Sequence, residues 1–388
     1  MKFIQKEHFY DSLSQKLIIL PYYDRLTNAL NNECLLERTE KGSLIKKTIS
    51  ISLCPSFLEY SFFKKDELIL KKVDQKKIIG YAILIKERKN LDLFLKQEYK
   101  KSFNNNIKRF VNRFEACFNV KYEIHYGSIE KEVYNTLMAS LKNMLIKRFD
   151  QRRDSTHALK NWNYYFESIY AFILEKKASI LAIYANEKLI HVCVNHHFKN
   201  ILFVSIPSYD INYSKFSLGN ISIHKLLEWC LENEYYMLDM AYGDLEYKKR
   251  WSNYMYSFQH HILAPKGKPI FNLIGYLEVL IIKAKNVLKK YHIDALVKKL
   301  KNLKLKENNY TNHIEYTIET SPEVDLKYLT EIDHFNINND HLQKMICDFL
   351  FKHKEHIEQV KVFEIETSKS YLICGKNITE KINFLNKL

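Results

Sequence analysis

From Ile45 onward the chain alternates short runs of β-branched and aromatic residues with polar breakers. Lys47–Leu53, Phe57–Phe63 and Ile78–Ile85 each predict a strand. The stretch before them, residues 1–43, has polar clusters around Asn28–Glu33 and Arg38–Lys41 and no sustained period, which predicts irregular structure. Leu91–Asn112 then sets Leu93, Phe94, Phe103, Ile107 and Phe110 among many Lys. This predicts a helix, with Asn90 as its N-cap.

A second series opens near Lys121. Tyr122–Tyr126 predicts a short strand, and Glu130–Lys147 and Ala158–Leu174 predict two amphipathic helices. The first of these carries Val133, Leu137, Leu141, Met144 and Leu145 on one stripe. Three antiparallel strands follow, Ser179–Tyr184, Lys188–His196 and Ile201–Ile206, joined by turns at Asn186-Glu187 and Lys199-Asn200. A polar loop, Pro207–Leu218, leads to a helix over Asn220–Glu232. A strand over Tyr235–Met240, a short helix over Leu245–Ser252 and a strand near Tyr254–Leu263 complete the series. This order is unlike a repeated βαβ sheet with one Gly-rich turn. Residues 271–306 predict a Lys-rich helical tail, 307–312 a linker, and 313–388 a small appended region of mixed signals.

At 388 residues the chain exceeds one ordinary core, and 46% hydrophobic residues suffice to bury more than one. There are only 8 Gly, so each one carries information about backbone freedom or close approach. A formal charge of +15 favours anionic partners such as nucleotide cofactors, nucleic acid or acidic lipid surfaces, although the Lys residues are spread along the chain. The seven Cys form no C-x-x-C pair and lie in apolar runs, which points to reduced, buried thiols rather than disulfides or a zinc site. The N-terminus has no apolar region of the secretory kind, and the longest apolar span, Leu273–Ile282, is short and contains Glu278. A cytoplasmic protein is expected, at most peripheral at the inner face of a membrane.

Two stretches carry the chemistry. The first is Tyr209-Asp210-Ile211-Asn212-Tyr213-Ser214-Lys215-Phe216-Ser217-Leu218-Gly219. The second is Leu238-Asp239-Met240-Ala241-Tyr242-Gly243-Asp244-Leu245-Glu246-Tyr247-Lys248-Lys249-Arg250-Trp251. The first resembles the Y-D-x-x-Y-x-x-x-S-x-G loop, and the second the D-x-x-x-G-D-x-x-Y-K-x-x-W ending, of GNAT-superfamily acyltransferases of the cellulose-biosynthesis type, which are related to the Fem peptidyltransferases. A basic segment, Lys100–Glu115, is a third echo, with Asn104 where Arg is common. The resemblance covers residues 44–265. It implies a duplicated GNAT-like α/β (α+β) fold of mixed, mostly antiparallel sheets flanked by helices. It also implies an acyl donor such as acetyl-CoA, no metal, and an amine or hydroxyl acceptor.

The residues fit such chemistry in specific ways. Gly219 and Asn220 open a helix whose N-terminal N–H groups and dipole suit a pyrophosphate, with Ser217 adding a hydroxyl. Ser and Gly are equally ordinary capping residues. Tyr209, Asp210, Tyr213 and Gly243 are candidates for substrate binding, and Asp210 can also fold its own loop. Asp244 is a candidate base or acceptor ligand, and equally a helix cap. Tyr247 is a candidate proton donor to the departing thiolate, and Lys248 can bind phosphate or stabilise developing charge. Trp251 reads as core. His196 and His197 sit next to each other on a strand, so they point to opposite faces and cannot act together.

The division along the sequence is expected to be a degenerate GNAT-like half over 1–120, a second half with the donor site over 121–268, the tail and linker over 269–312, and the appended region over 313–388. The function expected is acyl transfer to a sugar, amino sugar or small metabolite. One alternative is a Fem-type aminoacyltransferase using aminoacyl-tRNA and a cell-wall precursor. Another is a non-catalytic nucleic-acid-binding or scaffold protein, which salt-dependent RNA or DNA binding would mark. Residues 271–306 are a candidate contact with an anionic membrane.

Overall fold

The computed structural model describes residues 3–38, 45–87, 90–152, 156–290, 316–320, 329–333, 339–366 and 369–385. Along the chain these form β1 (Ile4–His8), α1 (Phe9–Lys16), β2 (Tyr23–Asn28), β3 (Glu33–Glu37), β4 (Thr48–Pro55), β5 (Leu58–Phe62) and β6 (Leu68–Leu84). Then come α2 (Leu91–Glu98), α3 (Lys101–Cys117), β7 (Val120–His125), α4 (Lys131–Arg152), α5 (His157–Lys160), α6 (Trp162–Leu174), β8 (Ala178–Ala185), β9 (Lys188–Phe198) and β10 (Ile201–Tyr209). A 3-10 turn (Ile211–Phe216) precedes α7 (Leu218–Glu232), β11 (Met237–Tyr242), α8 (Glu246–Trp251), β12 (Tyr254–Pro265) and α9 (Pro269–Lys290). The last described elements are β13 (Tyr316–Thr320), β14 (Thr330–Ile332), α10 (Asp340–His353), β15 (Lys361–Glu366), β16 (Ser370–Cys374) and β17 (Thr379–Phe384).

The chain divides into two compact units made of interleaved segments. The first comprises 1–88, 195–205 and 230–309, and the second 89–194, 206–229 and 310–388. The consecutive stretches expected along the sequence are thus a different partition from the spatial one.

In the first unit the strands run in the order β1-β4-β12-β6-β11-β10. β1 lies parallel to β4, and β12 lies antiparallel to both β4 and β6. β10 and β11 pair in parallel at Ile201–Met237, Leu202–Leu238 and Phe203–Asp239. A small sheet, β3-β2-β5, covers part of this unit's core, in which Tyr23, Leu26, Ile51, Phe57, Phe258 and Leu263 are buried. In the second unit β7 pairs antiparallel with β8. The apolar stripe expected on α4 meets α6 and β8 there, with Leu137, Leu141, Tyr165, Ile169 and Ile180 fully enclosed. The appended region contributes α10 and a sheet ordered β13-β17-β16-β15-β14. The mixed, largely antiparallel α/β architecture expected from the sequence is what the described residues form.

Three local expectations are corrected. Residues 1–43 are not irregular: β1, α1, β2 and β3 lie there, and they were invisible to local periodicity because β1 and β2 are fixed by pairing with distant β4 and β5. The single helix over Leu91–Asn112 is two, because Tyr99 and Lys100 adopt extended backbone. Asn104 ties the break together: its side chain donates at 2.7 Å to the Leu95 carbonyl, which also accepts from the Tyr99 N–H at the end of α2. Asn90 does cap α2, accepting from the Leu93 N–H at 2.9 Å. The loop over Pro207–Leu218 is ordered as the end of β10 and the 3-10 turn. Of the Lys-rich tail, α9 reaches Lys290; residues 291–306 and the linker 307–312 lie outside the described residues.

Candidate active site

In the first unit, β11 carries a buried carboxylate. Asp239 sits at the last of the parallel pairs with β10, fully enclosed. Its Oδ1 accepts from the Tyr10 hydroxyl at 2.8 Å and from the Ala241 N–H at 2.6 Å, and its Oδ2 from the Tyr256 hydroxyl at 2.6 Å. The Ala241 contact requires a distorted strand end. Ala241 has φ +62°, and the pairing with β6 shifts register between Asp239 and Tyr242. A non-glycine residue in this region costs about 1 kcal/mol or more, offset here by the hydrogen bond to the carboxylate. Burial pushes the Asp239 carboxyl up to about 6, and its three hydrogen bonds and the nearby Lys248 charge hold it from going higher.

Tyr256 reaches Asp239 across β6, and Gly80 makes that possible. A Cβ at Gly80 would lie 2.1 Å from the Tyr256 ring. The ring has little room to give, since Phe57 packs against it edge-on at 4.8 Å and Phe258 at 5.2 Å. On the other side Tyr10 is carried by α1 and packs edge-on against Phe203, Tyr242 and Phe258. The Tyr242 hydroxyl donates to Asp11 at 3.1 Å.

Beyond β11 the chain turns through Gly243, at φ +114°, where a side chain would be strained. Lys248, on α8, folds back over this turn. Its Nζ donates to the Tyr242 carbonyl at 2.8 Å and would lie 3.8 Å from a Cβ at Gly243. Only 7% of Lys248 is exposed. Burial lowers its ammonium to about 8, with Asp239 opposing that fall. Asp244 is exposed and bound to Lys249 at 2.5 Å. The first residue before α8 is Leu245, and no side chain caps that helix. Tyr247 is half-buried on the same helix, and Trp251 is fully enclosed, as expected of a core residue.

The two adjacent histidines are also in this unit. His196 Nδ1 lies 2.8 Å from the Ser205 hydroxyl and His197 Nδ1 2.7 Å from the Tyr235 hydroxyl. Burial lowers them to about 4 and about 3, so both are neutral at pH 7. They are structural side chains on opposite faces of β9.

In the second unit, the 3-10 turn and α7 carry the other motif. Asp210 accepts from the Asn212 N–H at 3.0 Å and lies 3.5 Å from Lys188, so it folds its own loop. Tyr209 lies under Arg148, whose guanidinium is 5.0 Å from the ring centre. Tyr213 is buried with its ring 5.5 Å from Phe118. The turn ends at Ser217, which has φ +58° and whose carbonyl accepts from the N–H groups of Asn220 and Ile221. α7 starts immediately afterwards. Gly219 lies in its first turn, and nothing is within 4 Å of a Cβ placed there. The first N–H groups of a helix have no acceptor within it, so this end is open and electropositive.

α10 closes on the same turn. Asn212 Nδ2 donates to Gln343 Oε1 at 3.0 Å and to Asp340 Oδ1 at 3.3 Å. Lys215 pairs with Asp348 at 3.1 Å, and Phe216 packs edge-on against Phe351 at 5.3 Å. The appended region thus grips the residues that lead into α7.

Of the residues singled out by sequence, Gly243, Asp244, Tyr247 and Lys248 belong to the first unit, and Tyr209, Asp210, Tyr213, Ser217, Gly219 and Asn220 to the second. Asp239, Tyr10, Tyr256 and Gly80 were missed. The signal for Asp239 was present, since a carboxylate between Leu238 and Met240 in an apolar strand needs partners. Tyr10 lies in a stretch without a readable pattern. Among the described residues no group of three or more His, Cys, Asp or Glu side chains is placed to hold a metal ion, and no helix is long and apolar enough to cross a membrane.

Among curated proteins, none matches this sequence. Solved structures with a similar course of chain include FemX, at 7% identity and TM-score 0.43, covering 59% of this chain and 74% of that one. A conserved protein of unknown function from Bacteroides thetaiotaomicron is similar at 10% identity and TM-score 0.39, covering 57% of this chain and 71% of that one. Residues 101–249, which run from α3 into α8 and contain the first motif and the second as far as Lys249, match the acetyltransferase (GNAT) domain family within a chain of mixed α/β fold.

Proposed function

We propose that the protein is a cytoplasmic acyltransferase that moves an acetyl group from acetyl-CoA to an amine or hydroxyl of a sugar, amino sugar or small metabolite. The observation that carries this reading is the open start of α7 inside the matched stretch. Ser217 turns the chain, and the space beside Gly219 in the first turn is open, with nothing within 4 Å of a Cβ placed there. A pyrophosphate suits such an end, because it can accept from backbone N–H groups at the helix start and meets the positive end of the dipole.

The chemistry needs a base, and Lys248 is the group suited to it. With its ammonium at about 8, a useful fraction is neutral at mildly alkaline pH. The neutral amine takes the proton from the acceptor nitrogen or oxygen. The acceptor attacks the thioester carbonyl, and the tetrahedral intermediate collapses with cleavage of the C–S bond. The departing thiolate takes the proton from the lysine ammonium, restoring the base. Asp239 acts as a positioning group: its charge and the strand end it organises set the place of the Tyr242 carbonyl to which Lys248 is bonded. Reduced thiols and a CoA donor suit the cytoplasm.

Calorimetric titration with acetyl-CoA and with desulfo-CoA tests the donor. Binding of both, weakened about tenfold or more by Gly219→Trp, is the expected result. No binding of either ligand to folded protein would overturn the acyl-CoA reading and make aminoacyl-tRNA the donor to try next.

A further inference from the structure

α9 is apolar on two opposite sides. One side packs on β4, β6 and β12: Val279 and Ile282 join Val73 and Ile262, and Gly275 brings the helix close enough that an added Cβ would touch Ile262 at 3.5 Å. The other side carries Ile270, Leu273, Leu277, Leu280, Val287 and Leu288, between 44% and 65% exposed. The first four are spaced three and four residues apart, and Val287 and Leu288 fall on the same stripe two turns further on. An apolar stripe of this length is unusual on the surface of a soluble protein and marks a contact.

The helix cannot turn this stripe inward, because it is pinned from its first turn to its last. The Thr48 hydroxyl donates to the Phe271 carbonyl at 2.8 Å, and Asn286 donates to the Asp74 carbonyl at 2.7 Å. Between them Glu278 accepts from Ser50 at 3.0 Å and meets Lys6 at 3.0 Å.

Charge decides what covers the stripe. Glu278 is the one carboxylate on α9, and it is buried and engaged on the packed side. At 100° per residue, Lys283 and Lys285 fall on the two edges of the stripe. Lys71 reaches over the Tyr276 ring at 4.7 Å, and Lys266 and Lys268 precede the first turn. A second copy of this helix would bring lysines against lysines with no carboxylate to meet them. A surface that is apolar inside and anionic outside answers both features at once.

We propose that α9 docks the protein on an anionic lipid bilayer, with Leu273, Leu277 and Leu280 entering the acyl-chain boundary and Lys283 and Lys285 at the headgroups. The helix lies in the plane of the surface. The inference is independent of the donor assignment, since it uses no residue of either motif.

Sedimentation of the full chain with vesicles of phosphatidylcholine, and of phosphatidylcholine with phosphatidylglycerol, tests it, with light scattering run in parallel. The expected result is a monomer that partitions to the anionic vesicles, less so as salt is raised. Its partitioning should fall about tenfold or more in Leu273→Gln/Leu277→Gln/Leu280→Gln, and to a smaller extent in Lys283→Gln/Lys285→Gln. Because these side chains are exposed, both variants should keep the wild-type melting curve. Three results would overturn it: no partitioning of the wild type, equal partitioning of the folded triple variant, or a wild-type dimer that the triple variant abolishes.

Discussion

The Tyr256 hydroxyl donates to Asp239 Oδ2 at 2.6 Å, and the ring that carries it lies against the face of β6 where Gly80 has no side chain. A hydrogen bond and a missing methyl group are therefore one device. The phenol reaches the carboxylate because the strand between them is bare at that position.

Gly80→Ala should consequently cost about 2–3 kcal/mol of stability, since the Tyr256 ring has to leave a close-packed place or β6 has to shift. Gly219→Ala is its control. The site is open and helical, and the change should be neutral or stabilising by about 0.5–1 kcal/mol. Urea unfolding of the two variants separates them, and equal effects would show that Gly80 is not filled by the ring.

Asp239 should leave a mark on the pH dependence of stability. Its carboxyl titrates at about 6 when folded, against 3.8 for a free side chain. The folded chain therefore keeps a proton that the unfolded chain has lost, and the contribution of Asp239 falls as pH rises from about 4 to about 6. Relative to Asp239→Asn, which does not titrate there, the wild type should lose about 2 kcal/mol between pH 4.5 and pH 7.5. A constant difference across that range would contradict the raised value.

For Lys248 the expectation concerns rate. Lys248→Met should leave acetyl-CoA binding within a factor of about two and lower turnover about 100-fold. The wild-type rate should rise with pH through about 8, and the variant should lack that rise. A variant that retains turnover would assign the base elsewhere.

The grip of α10 on the 3-10 turn can be loosened at one residue. Asn212→Ala removes both amide bonds to Gln343 and Asp340 from a buried position, at a cost of about 1–3 kcal/mol. Hydrogen exchange should accelerate over residues 211–219, the segment that opens α7, and in 340–353. Unchanged exchange in 211–219 would show that the turn holds its shape without α10.

Much of the architecture could be read along the chain, for a definite reason. Leu137, Leu141, Met144 and Leu145 repeat at helical spacing because α4 buries one side, and the strands between Ser179 and Ile206 stand out because tight turns punctuate them. Elements whose conformation depends on remote partners stayed hidden. β1 is held parallel to β4 across more than forty residues, and α1 matters because Tyr10 meets Asp239 at the far end of the same unit. The break after α2 was hidden as well, because it rests on the Asn104 amide rather than on Pro or Gly. At the candidate site, the motif drew attention to an exposed carboxylate. Asp244 is the more conspicuous acid in sequence, following Gly at the end of a strand, yet the enclosed one is Asp239.

The interleaving of segments also sets a timetable for synthesis. β6 pairs with β12 along twelve positions, from Ala82–Tyr254 to Leu68–Pro265. When β6 leaves the ribosome its partner has not been made, and its edge must wait unpaired while the whole of the second unit's α4, α6 and β8 emerges. That unit's helices can close on local contacts as they appear, whereas the first unit cannot complete its sheet until residue 265 is free. An exposed strand of this length is a template for wrong pairing in the interval. The chain should therefore refold slowly from denaturant and depend in the cell on chaperones that shield β-strand edges, and a version truncated before β12 should aggregate rather than yield a smaller soluble protein.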